Sequence, residues 1–111
     1  MEVPLQIVVR NFPHSAALEA RVRESVAKLE EFHPRIVSCR VTIEESSRHQ
    51  RQGRQLQVRI DVRVPGKEIA VNREHDEDVY VALGDAFDAA RRQLEDAARV
   101  ARGDVKTHEA H

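Results

Sequence analysis

The chain has 111 residues, 41% apolar and 33% charged, with a formal net charge of −1; this suits one small globular domain burying roughly two-thirds of its unfolded surface. A near-neutral total excludes attraction to nucleic acid or acidic membrane by bulk charge, and one cysteine excludes a disulfide scaffold. No apolar run is long enough to span a bilayer, and Met1-Glu2-Val3-Pro4-Leu5 does not resemble a secretory signal, so a reducing cytoplasm is the expected setting.

Leu5, Ile7 and Val9 alternate with Gln6 and Arg10, which predicts a first strand ending at Asn11-Phe12-Pro13. A helix then starts at Ser15, whose hydroxyl can take a free first-turn amide, with Glu19 favouring the positive helix end. Its apolar stripe is Leu18, Val22, Val26, Leu29 and Phe32. Pro34 stops it, because proline lacks an amide proton and pushes His33 out of the helical region.

Val37, Cys39, Val41 and Ile43 then alternate with Ser38, Arg40, Thr42 and Glu44 in a second strand. The polar stretch from Ser46 to Gln55, with Arg48, Arg51, Arg54 and one glycine, reads as a long hairpin loop. Leu56, Val58, Ile60, Val62 and Val64 alternate without a fault in a third strand, Pro65-Gly66 turns the chain, and Lys67 to Asn72 makes a shorter fourth strand. Asp76, Glu77 and Asp78 place negative charge at the start of a second helix. Its stripe is Val79, Leu83, Phe87, Ala90 and Leu94, and it runs to Arg102 with Gly103 as its stop. Gly84 inside that helix suggests a close packing contact. Residues 1–103 therefore form one domain, and residues 104–111 a frayed tail.

The order β-α-β-β-β-α predicts an α/β two-layer sandwich. Strands one and two pair in parallel through a crossover, the rest form an antiparallel meander, and both helices pack on one face of a four-stranded mixed sheet. The other face is open and carries Arg10, Arg40, Arg59 and Arg63 among Gln57, Thr42, Glu44 and Asp61. It has no aromatic residue on which bases could stack, so an RRM-like platform is disfavoured and a solvated polar face is the plainer reading.

Charge is segregated along the chain. Residues 1–75 hold 13 Lys and Arg against 10 Asp and Glu, whereas residues 76–111 hold 5 against 9. Fifteen of the 18 cations are arginine, suited to bidentate phosphate contact, so composition permits RNA binding without demanding it. Arg21 and Lys28 lie two turns apart on one flank of the first helix, a spacing that could follow a phosphate backbone. On the second helix Arg92 and Arg99 point away from the stripe, each with an acid four residues earlier, Asp88 and Glu95, so surface ion pairs are the competing reading.

Enzymatic chemistry finds no support. The six histidines are scattered without ligand spacing, and there is no P-loop, Rossmann glycine pattern or nucleophile elbow. No metal or cofactor is expected. Cys39 falls on the apolar side of its strand and reads as a small core residue.

Lys28-Leu29-Glu30-Glu31-Phe32 followed by Arg35-Ile36, and then Asp78-Val79-Tyr80-Val81-Ala82-Leu83 with Asp85 and Arg92-Gln93-Leu94, resemble the two signature stretches of the ribosome hibernation-promoting factor and ribosome-associated inhibitor family, short form. The resemblance covers residues 5 to about 102. It implies the same β-α-β-β-β-α fold. It also implies docking on the small ribosomal subunit and its RNA near the decoding centre, as a translation inhibitor of the stress response and stationary phase. Lys28, Arg35 and Arg92 match basic family positions, where each would contact ribosomal RNA phosphates. Two departures stand out: Ala89 where relatives carry lysine, and Glu95-Asp96-Ala97-Ala98-Arg99 where they have a lysine-rich helix end. Fewer released counterions imply weaker docking with a shallower salt dependence.

Two other readings compete. A protein-interaction module would use the open sheet face or a free strand edge. A free double-stranded RNA-binding module would use cations at the start of its last helix, where this chain has Asp76-Glu77-Asp78.

Overall fold

A computed structural model of the chain describes residues 4–46, 55–75 and 78–103. The elements are β1 (Leu5–Arg10), α1 (Ala16–Phe32), β2 (Ser38–Ser46), β3 (Gln55–Val64), β4 (Lys67–His75) and α2 (Val79–Arg102). The sheet order is β1-β2-β3-β4, with β1 parallel to β2 and the other pairs antiparallel. This is the expected two-layer sandwich.

Local chemistry sets the helix limits. The Ser15 hydroxyl accepts from the Leu18 amide at 3.0 Å, and α1 closes when the His33 N–H donates to the Leu29 carbonyl at 2.9 Å, just ahead of Pro34. At α2 the Asp78 carboxylate accepts from the Tyr80 amide at 2.8 Å, and Gly103 ends the helix with φ of 79°, a left-handed value that glycine adopts without steric cost.

One core cluster joins the layers. Leu18, Val22, Val26 and Leu29 from α1 meet Cys39, Val41, Ile43, Val58, Ile60 and Val62 from the sheet and Leu83, Phe87 and Leu94 from α2. The perfect alternation of β3 is reproduced in its burial: every second residue from Leu56 to Val62 is buried, and Val64 at its end is partly so. β1 is an edge strand, and its Leu5 and Ile7 are only partly buried.

Four local expectations need correction. Phe32 extends the α1 stripe by spacing but is 58% exposed. It is the last helical residue, where the chain leaves for the sheet. Val37 is 47% exposed and lines the hollow beside the Val64–Lys67 turn, while Ile36 takes the buried place ahead of β2. β4 runs to His75 rather than Asn72, because the long β3 offers partners as far as Leu56 opposite His75. Gly84 has no close contact, since a Cβ built there meets nothing within 4 Å. The Arg48, Arg51 and Arg54 loop and the 104–111 tail lie outside the described residues.

Candidate nucleic-acid interface

The relation of the two helices sets the geometry of the candidate site. Arg21 of α1 lies over the Tyr80 ring of α2, 4.9 Å from its centroid, and Arg91 of α2 lies over the Phe32 ring of α1 at 5.5 Å. Eleven residues separate the two contacts on each helix. Advance along α1 therefore matches advance along α2, so the helices run side by side in the same direction.

Three of the five proposed cations stand free at the far end of this pair. Lys28, Arg35 and Arg92 are exposed, and among the described residues none has an ion pair. Lys28 sits one turn before Phe32. Arg35 is fixed by the junction, in which the Ile36 N–H donates to the His33 carbonyl at 3.2 Å while Leu29 and Ile36 anchor either side in the core. Arg92 lies opposite the face that buries Phe87, Ala90 and Leu94.

The other two are engaged. Arg21 is committed to Tyr80, and Arg99 pairs with Asp96, three residues before it, rather than with Glu95. Glu95 faces Arg91 instead, at a loose 3.9 Å, and no pair joins Asp88 to Arg92 among the described residues. Sequence reasoning missed Arg91 and its contact with Phe32. The signal was the position of Phe32 as the last helical residue of the stripe, where the helix stops supplying neighbours. Ala89, where the family resemblance expects lysine, is 4% exposed and packs in the core, so it leaves no gap on the outer surface.

The open sheet face mixes arginines with acids. Arg59 Nε lies 3.1 Å from both carboxylate oxygens of Asp61, and its Nη2 is 3.0 Å from one of them. That contact raises the arginine pKa above its ordinary value. Strand register sets Arg10 opposite Glu44, Arg40 opposite Asp61 and Arg63 opposite Glu68. Gln57 donates to Asn72 at 3.4 Å. Arg10, Arg40 and Arg63 therefore stand in register with an acid, and Arg59 is paired with Asp61 along its own strand, so an incoming phosphate would meet carboxylates interspersed among these cations.

Two further groups are the buried Cys39 and the half-buried His33. Burial pushes the Cys39 thiol up to about 12, with the Asp61 charge reinforcing it, so the sulfur is held protonated. His33 has a ring Nε2 that is buried without a partner among the described residues. Burial lowers its pKa, Arg91 lowers it further, and Glu95 opposes.

The fold is thus a two-layer sandwich of two helices on a four-stranded sheet, with exposed cations at one end of its helix layer that have no ion pair among the described residues. The chain belongs to the Sigma 54 modulation protein / S30EA ribosomal protein family, whose model matches residues 5–101. Among solved structures it is similar to a ribosomal subunit interface protein from Coxiella burnetii, with a TM-score of 0.74 and 17% identity over 86% of this chain and 98% of that one. It is also similar to the N-terminal domain of Protein Y from Thermus thermophilus, with a TM-score of 0.63 and 21% identity over 85% and 96% of the two chains. At these identities the likeness is one of fold. No curated protein matches the chain.

Proposed function

We propose that this protein docks on the small ribosomal subunit near its decoding centre and holds idle ribosomes out of translation in the cytoplasm of stressed or stationary-phase cells. The observation that carries the reading is the family match across residues 5–101. Physical support comes from Lys28, Arg35 and Arg92, exposed cations that no carboxylate neutralises among the described residues. Their role is charge-assisted contact with ribosomal RNA phosphates. Arg21 and Arg99 contribute less, since each is already engaged.

The start of α2 speaks against a free double-stranded RNA-binding module. Asp78 caps the helix there and occupies the Tyr80 amide, so a carboxylate stands where a phosphate would have to bind. On the open sheet face Arg59 is paired with Asp61, and Arg10, Arg40 and Arg63 each stand in register with an acid, which weakens the local attraction for RNA phosphates.

The test is sedimentation of the tagged protein with purified small subunits at low salt, alongside a Lys28→Glu, Arg35→Glu, Arg92→Glu triple variant. Cosedimentation of the native chain and loss of the variant is the expected result. Equal binding by both would overturn the site assignment, and recovery of a nuclease-resistant protein partner without ribosomal components would overturn the function.

A further inference from the structure

We infer that Phe32 is a stacking platform for one unpaired nucleobase of the RNA held by Lys28, Arg35 and Arg92, an inference that rests on the docking reading above. The chain has four aromatic residues, three Phe and one Tyr. Phe87 is buried, Phe12 is partly buried against the core, and Tyr80 and Phe32 are exposed at 36% and 58%. Leaving a phenyl ring in water forgoes the hydrophobic stabilisation that burial would give it. The α1 stripe that buries Leu18, Val22, Val26 and Leu29 stops short of this ring.

The surroundings of Phe32 favour a planar ligand attached to an anion. The Arg91 guanidinium holds the ring at 5.5 Å, while more than half of the residue's surface stays in solvent. Lys28 lies one turn earlier on the same side of α1, Arg35 follows three residues later, and Arg92 adjoins Arg91. A base can lie on the ring because every base has a π-face, and the neighbouring cations take the phosphates on either side.

Tyr80 makes the contrast. It has the same arginine-over-ring geometry, with Arg21 at 4.9 Å, but it is less exposed and the Asp78 carboxylate binds its own amide, whereas at Phe32 the one carboxylate on Arg91, Glu95 at 3.9 Å, is set against Lys28, Arg35 and Arg92. A phosphate is repelled there. The two Arg–aromatic contacts therefore divide into a structural tie at Tyr80 and a binding platform at Phe32.

Because the chain has no tryptophan, Phe32→Trp supplies a single indole whose emission can be titrated with purified small ribosomal subunits. Stacking predicts quenching of that emission. It also predicts that Phe32→Leu, which keeps apolar volume without a ring, binds about tenfold more weakly, while Phe32→Trp and Phe32→Tyr stay within about twofold of the native chain. Tyr80→Leu binds as the native chain does. If Phe32→Leu fails to fold by circular dichroism, the indole quenching and the Phe32→Tyr affinity carry the test. An unquenched indole, or equal affinity of folded Phe32→Leu and native chains, overturns the platform and leaves docking standing. Failure of the native chain to cosediment overturns docking and the platform together. Quenching that survives digestion of the ribosomal RNA places a protein against the ring and overturns the nucleobase.

Discussion

Arg21 stacks on Tyr80 across the interface of the two helices, so a cation on the flank of α1 serves the helix layer before it can serve any partner. Arg21→Ala should cost about 0.5–1 kcal/mol of stability in urea unfolding, the range for an exposed cation–π contact. Its effect on subunit binding should be smaller than that of Lys28→Ala, Arg35→Ala or Arg92→Ala. A loss of binding equal to theirs, with no change in stability, would return Arg21 to the interface.

The free cations make a quantitative salt prediction. Each of Lys28→Ala, Arg35→Ala and Arg92→Ala should reduce the slope of log affinity against log salt by about 0.7–0.9, the contribution of one phosphate contact. Binding isotherms between low and moderate salt measure it. A variant that weakens binding with an unchanged slope makes its contact to something other than phosphate.

Cys39 should be inert. With its thiol pushed up to about 12 and its side chain in the core, it should fail to react with a thiol reagent in the native protein and react fully in denaturant. Rapid labelling under native conditions would show that β2 opens locally.

His33 should make stability depend on pH. Its folded pKa lies below the ordinary 6.5, so the unfolded chain binds the proton more readily. Stability is full above pH 6.5 and declines as pH falls from 6.5 through the lowered folded value. The Glu19 carboxyl, held low by its hydrogen bond from Arg23, acts in a separate window: its contribution is present above 4.5 and lost below it. Denaturant melts of native and His33→Gln chains at several pH values should lose the upper decline in the variant. An identical decline in both would move its origin to another group.

Gly84→Ala should stabilise the protein by about 1 kcal/mol, the helix-propensity difference between the two residues, because the new methyl meets no neighbour within 4 Å. Gly103→Ala and Gly66→Ala should act in the opposite direction, since both positions have positive φ. Thermal melts of the three variants separate propensity from conformation.

Much of this molecule was legible in its sequence because β3 and the middles of both helices keep their own period. Leu56 to Val64 could only be a half-buried strand, and Ser15 and Gly103 bracket the two helices by well-defined hydrogen-bond and backbone requirements. The failures fall where an element ends. Phe32 and Val37 keep the right spacing yet lie at the two ends of the α1–β2 junction, and spacing records direction along an element rather than what stands opposite it. The site was less legible for a related reason. Which cations are free depends on contacts across elements: Arg21 is taken by Tyr80 from the other helix, and Glu95 is drawn toward Arg91. No periodicity in a single segment shows such pairings.

The matched spacing of the two Arg–aromatic contacts couples the lengths of the helices. Deleting one residue between Tyr80 and Arg91 would turn everything beyond it by about 100° around the α2 axis, swinging Arg91 away from Phe32 and carrying Arg92 off its outward face. Changes of chain length can be absorbed in the turns, but between these two contacts the helices act as a shared ruler. The distance from the Tyr80 tie to the Phe32 ring is set by counting residues, which fixes where along the helix layer the free cations stand.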